Sequence, residues 1–215
     1  MDTAQLEALG RRLAERHADS VDAQAERSLL NHAETLRAGD WSLRSALVRL
    51  AQPEPERAAA VLELVRRLDA VLHHVARQLE RHTVLCDRAL APDLAGTEGV
   101  LAADAPTDPY PDTRGADLAR LARAVPDGFP TVFAAYEEAL PLGAEERTAI
   151  PLLGVALELD DLAEVLAAWA NRGPTDPPVD AVDATCTTVR ARLDDLGVPV
   201  EEWSEPTRRG PRRRS

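Results

Sequence analysis

Apolar positions recur at helical spacing along most of the chain. The clearest run lies between about residues 55 and 82, where Val61, Val65, Leu68, Leu72, Val75 and Leu79 step alternately by four and three residues. That alternation keeps one face of a helix apolar. Leu64 and Val71 widen the seam, while Arg66, Arg67, Arg77 and Glu80 fall mostly off it. The run Gln52-Pro53-Glu54-Pro55-Glu56 ends the preceding helix and supplies the proline and acids that suit a first turn. Upstream, Leu6, Leu9 and Leu13 predict a helix over 4–16. A second is predicted over 20–38, closed by Gly39. Trp41, Leu43, Leu47 and Leu50 predict a third over 41–51, with Asp40 as its N-cap.

The pattern changes between 83 and 115. Thr83-Val84-Leu85-Cys86 and Gly99-Val100-Leu101-Ala102 are short apolar runs that suit strands, separated by Pro92, Gly96 and Gly99. Residues 105–115, with three prolines among Asp and Thr, read as a loop. Helical spacing returns at about 115–125, 128–140 and 144–171, the last carrying Ile150, Leu153, Leu157, Leu162, Leu166 and Trp169. Residues 173–178 read as a linker, 179–196 as a final helix, and the tail from 199 to 215 as disordered. The expected fold is therefore mainly α, a multi-helix orthogonal or bundle domain with one short β-hairpin near 83–104. The helical region 1–82 and the segment 83–172 are expected to share one domain.

Composition narrows the chemistry. Nearly half the 215 residues are hydrophobic, but aromatics make up only 3%, so the core must be built from Leu, Val and Ala. No run of about 18 uncharged apolar residues is present, and Met1 to Arg16 lacks the apolar stretch of a signal peptide. Two cysteines far apart in sequence, Cys86 and Cys186, fit a reducing compartment, and a cytoplasmic location is expected. The formal net charge is −12. The last ten residues hold five Arg and no acid, so residues 1–205 carry about −17. An acidic body with few aromatics disfavours nucleic-acid binding. All 25 basic residues are Arg; there is no Lys. That removes Schiff-base chemistry, a Lys general base and a phosphate-gripping Lys.

Few residues group into a chemical set. His73, His74 and His82 lie on or near one helix with Glu80, but none forms the i, i+3 or i, i+4 pair that a helical metal site needs. Their expected role is solvated or capping. His32 and Glu34, two apart on a helix, face different ways. Arg77 and His82, with four residues between them, match a spacing of helical ribonucleases of the HEPN type; Arg67 and His73, with five between, also fit. Cys86 and Cys186 are expected to be buried structural thiols. The cluster Arg208, Arg209, Arg212, Arg213 and Arg214 reads either as a solubilising end or as a docking element for an acidic partner, for nucleic acid or for the chain's own acidic body.

The order of motifs over about 83–169 resembles the aminoglycoside phosphotransferase and homoserine-kinase-like superfamily. Asp117-Leu118-Ala119-Arg120 is similar to its Asp-Leu-Ala helix start. Phe133-Ala134-Ala135-Tyr136-Glu137-Glu138, Pro141-Leu142, Glu145-Glu146-Arg147 and Ile150-Pro151-Leu152-Leu153 resemble the helix pair that closes that fold. Val84-Leu85-Cys86-Asp87 sits where the family has its catalytic loop, and Val100-Leu101-Ala102-Ala103-Asp104 where a strand ends on a metal-binding Asp. The resemblance makes Asp87 and Asp104 the candidate catalytic acids. The departures are specific. The family's loop reads His-Gly-Asp with an Asn five residues later; here there is no His, Gly or Asn around Asp87, no Lys, and no N-terminal β lobe. Phosphoryl transfer depends on such positioning and charge stabilisation. The sequence thus predicts a C-lobe-only relative that is non-catalytic and works through contact with a protein partner, with no cofactor. Two alternatives stand beside it: a metal- or nucleotide-dependent phosphotransferase-like enzyme using Asp87 and Asp104, and a HEPN-type RNA-cleaving domain.

Overall fold

The computed structural model of the chain describes residues 1–20, 41–79, 83–87, 90, 109–172 and 175–198. Seven helices and two strands make up the regular structure among these residues. In chain order they are α1 (Thr3–Asp19), α2 (Trp41–Leu50), α3 (Pro55–Leu79), β1 (Thr83–Asp87), β2 (Pro109–Thr113), α4 (Arg114–Ala124), α5 (Phe129–Ala139), α6 (Ala144–Asn171) and α7 (Val179–Asp195). The mainly α expectation holds, and no described helix is long and apolar enough to cross a membrane.

Helix α6 is the central post. Helices α2, α3, α4 and α7 all pack against it. Its buried side includes Ile150, Leu153, Leu157, Leu162, Leu166 and Trp169, the positions that the spacing assigned. Helix α3 turns its predicted seam inward: Val61, Leu64, Val65, Leu68, Leu72, Val75 and Leu79 are all buried. Arg67 departs from the expectation. It lies off the apolar seam but faces α7, and only 4% of its side chain is exposed. Its guanidinium donates to Asp194 Oδ1 at 2.7 Å and to the Val198 carbonyl at 2.6 Å. That carbonyl follows the end of α7, where Gly197 adopts φ +68° and Val198 N–H reaches back to the Leu193 carbonyl at 2.9 Å. Glycine takes this left-handed turn without a Cβ penalty.

A second helix pair, α1 against α5, completes the body. Helix α1 begins in a capping box in which Asp2 and Gln5 satisfy each other's backbone N–H groups. A Cβ on Gly10 would lie 2.2 Å from the Val132 carbonyl oxygen, so the two helices approach closely only because Gly10 has no side chain.

The strands correct one expectation. β1 lies where the apolar run 83–86 put it, but its antiparallel partner is 109–113, inside the segment read as a loop. The register pairs Thr83 with Thr113 and Asp87 with Pro109. Proline argued against a strand here because it has no N–H to donate. Pro109 and Pro111, two residues apart, put their nitrogens on the same edge of β2, and among the described residues β1 is the one strand that β2 bonds. The predicted strand 99–102 and residues 21–38 of the second predicted helix lie outside the described residues, as do Asp40 and the tail from 199 onward, while Ser20 caps the end of α1.

Candidate functional site

Five elements, α1, the two strands, α4 and α5, bring polar side chains together where they meet. Helix α1 carries a buried stripe of Leu9, Gly10, Leu13, Ala14 and His17. His17 is two turns beyond Gly10, and Tyr136 is one turn beyond Val132. The close crossing therefore sets the imidazole against the phenol: Nδ1 and Oη are 2.9 Å apart and the rings meet edge to face. On the other side of the ring, Nε2 lies 3.3 Å from Asp117 Oδ2. With the proton on Nε2, the imidazole donates to Asp117 and accepts from Tyr136.

Asp117 stands in the first turn of α4, where the helix dipole favours an anion. Thr113 caps that helix by accepting from Gly115 N–H. The Asp117 carboxylate also accepts from the Asp87 backbone N–H, at 3.2 Å to each oxygen, and Arg120 approaches Oδ1 at 3.5 Å. It thus joins α1, β1 and α4 in one place.

Strand β1 contributes Cys86 and Asp87, both fully buried. The Cys86 thiol donates to the Thr113 carbonyl at 3.3 Å. Burial, reinforced by the charges of Asp117 and Asp112, pushes the thiol well above its ordinary range. A reactive cysteine needs the opposite environment, electropositive and accessible. The Asp87 carboxylate is held by Arg16 at 3.0 Å. The Arg16 side chain is only 9% exposed, and its Nε and Nη1 find no acceptor among the described residues. Arg114 and Glu146 form a bidentate buried pair nearby, at 2.8 and 2.6 Å, and Glu146 also caps α6 through the Gly143 N–H. Tyr136 is pushed up in pKa, chiefly by burial.

Among the described residues, one group has donor atoms suited to a metal ion: His17, Cys86 and Asp117 each offer an atom within 4.8 Å of the others. All three side chains are buried.

The residues nominated from sequence fare unequally. Asp87 is at the centre of the cluster, but its carboxylate faces Arg16 rather than solvent. Asp104, His82, Glu80, His32, Glu34, the side chain of Arg77 and the arginines of the tail, Arg208, Arg209, Arg212, Arg213 and Arg214, lie outside the described residues. His73 and His74 are exposed on α3, while Arg67 points to the end of α7, so the spacing of Arg67 and His73 does not bring them to one site. Cys186 is buried on α7.

His17 and Arg16 belong to no motif in the sequence, and Asp117 and Tyr136 stand there only as parts of a helix start and a helix pair. A usable signal for His17 was its place on the Leu9–Leu13 stripe, where a polar side chain must find partners. No family model matches the chain, no curated protein matches it, and no solved structure matches it.

Proposed function

We propose that this chain is a non-catalytic helical protein of the cytoplasm, akin to the C-lobe of the phosphotransferase-like kinases, that acts through contact with another protein. One observation carries the reading. Asp87, the described member of the candidate catalytic pair, is fully buried and its carboxylate is bound by Arg16. A catalytic acid must reach its substrate's proton or metal. This one is occupied in holding α1 to β1.

Two features of the sequence add support. No Lys is present to grip phosphate, and residues 1–205 carry about −17 formal charges, an acidic surface suited to a partner with a basic face. Calorimetric titration of the full chain with ATP and Mg²⁺ tests the proposal. The expected result is no saturable heat and no phosphoryl transfer. ATP binding with turnover that is lost in Asp87→Asn would overturn it. Size-exclusion chromatography with a purified candidate partner tests the contact itself: the complex is expected to weaken as salt rises, since an acidic surface associates through screened charges.

A further inference from the structure

We propose that His17, Cys86 and Asp117 form a binding site for a zinc-class divalent cation that ties α1, β1 and α4 together. The three side chains supply one nitrogen, one sulfur and one oxygen, the donor set that a borderline-soft ion such as Zn²⁺ takes. They come from positions 17, 86 and 117, so the set exists only in the folded chain.

The geometry is close to what the ion needs. Two ligands about 2.0–2.1 Å from a tetrahedral ion lie about 3.3 Å from each other. His17 Nε2 and Asp117 Oδ2 already stand 3.3 Å apart. The sulfur must come within about 3.5 Å of each of them. The farthest ligand-atom pair lies within 4.8 Å, so the remaining closure is on the order of 1 Å, within reach of a cysteine rotation.

The surroundings match those of ligating side chains. A metal-bound imidazole usually holds a partner on its second nitrogen, and a ligating carboxylate is itself hydrogen-bonded. Tyr136 Oη lies 2.9 Å from Nδ1, which leaves Nε2 to face the ion. Asp117 divides its two oxygens: Oδ1 faces Arg120 and Oδ2 faces His17. The Asp87 N–H fixes the carboxylate plane from β1.

Binding is a ligand exchange with a defined proton balance. The imidazole binds through Nε2 as the neutral tautomer protonated on Nδ1, which then donates to Tyr136 Oη. Its proton moves from Nε2 to Nδ1 by exchange with solvent, with no net release. The ion displaces the thiol proton that Cys86 gives to Thr113. The sulfur bonds the ion as thiolate. The thiol proton passes to solvent buffer, and no electron moves. The three donors are buried and sit on three elements, so a bound ion ties α1, β1 and α4 together, with the fourth position of a tetrahedral ion left to a water molecule.

Cobalt(II) makes the site visible, since a bound thiolate gives it a charge-transfer band in the near ultraviolet. The chain has only two cysteines, so in Cys186→Ser any such band must come from Cys86. The full-length Cys186→Ser chain, stripped with a chelator and titrated with Co²⁺, is expected to bind one ion, show the band and lose it to Zn²⁺. Calorimetry in buffers of different ionisation enthalpy is expected to show proton release on binding. Asp117→Asn is expected to weaken the ion by about 100-fold or more. A Cys186→Ser chain without the band overturns the proposal, as does affinity unchanged by Asp117→Asn. If Asp117→Asn does not fold, the Cys186→Ser spectrum and proton release decide alone.

Discussion

Two regions of one continuous core differ in how much polar material they bury. Around α6, the faces of α2, α3 and α7 meet mostly through leucines and valines, with Arg67 the buried charge that bonds the end of α7, and the apolar attraction scales with area removed from water. Where α1, the two strands, α4, α5 and the start of α6 meet, the interior also contains His17, Asp87, Asp112, Asp117, Arg114 and Glu146. Such a cluster contributes little net stability over an apolar replacement, but removing one member strands its partners. The apolar region should therefore lose stability in proportion to the volume removed. The polar region should respond to identity, with isosteric changes costing as much as truncations.

The largest expected effect is at Asp117. Asp117→Ala leaves His17 Nε2 and the Asp87 N–H without this acceptor and removes the carboxylate that Arg120 approaches. A loss of about 3–5 kcal/mol in urea unfolding is expected. Leu68→Ala, in the fully buried seam of α3, should cost about 2–5 kcal/mol through lost transfer energy and a cavity. The comparison sharpens with isosteres: Leu68→Met should recover most of the loss, whereas Asp117→Asn should not. If Asp117→Asn proves as mild as Leu68→Met, the two regions do not differ as described.

Gly10→Ala comes next. Its Cβ would enter the Val132 carbonyl, a backbone atom that cannot swing away, so α1 must shift off α5. Overpacking of this kind costs about 1–3 kcal/mol. Because His17 lies on the same stripe, its ring resonances should move in an NMR spectrum even where the fold survives.

Alkaline pH offers a smaller test. In the metal-free chain, burial raises the Cys86 thiol above its ordinary 9.0 and raises Tyr136 above 10.0. The folded state therefore keeps protons that the unfolded chain gives up. This contribution is complete below about pH 9 and is lost as pH rises toward the folded values. The unfolding free energy should fall above that pH by up to about 1.4 kcal/mol per pH unit for each group, and the urea midpoint with it. Cys86→Ala should flatten the onset; an unchanged midpoint up to pH 10.5 would contradict the cause given for the shift.

The smallest effect is at the surface. Arg57 bonds Asp183 across the solvent-exposed edge of α3 and α7, with both N···O distances at 2.7 Å. Exposed pairs lose most of their attraction to water and salt. Arg57→Ala should leave the urea midpoint in place.

The same contrast decides what was legible in the sequence. The α3 and α6 seams could be read because a periodic apolar face records its own secondary structure and its own burial. Helix α6 was placed at 144–171, the range that it occupies. Strand β2 was not legible: its prolines point to a loop, and only pairing with β1 makes them tolerable. Arg67 read as a surface residue because its partner, the end of α7, is 127 positions away. The polar cluster was hidden for the same reason. A histidine at the end of one helix and an aspartate at the start of another are each ordinary; 100 positions separate His17 from Asp117. Asp87 was nominated through resemblance, and what sequence could not supply was the arginine that faces it.

Asp87 therefore carries the most direct test of its role. A residue held for catalysis or binding is commonly strained, and removing it leaves stability unchanged or raised. A residue held as the buried partner of Arg16 leaves an uncompensated guanidinium when it is lost. Equilibrium urea unfolding of Asp87→Ala against the wild-type chain separates the two. A loss of about 3 kcal/mol or more is expected; an Asp87→Ala chain as stable as wild type, or more stable, would contradict the structural role assigned to this carboxylate.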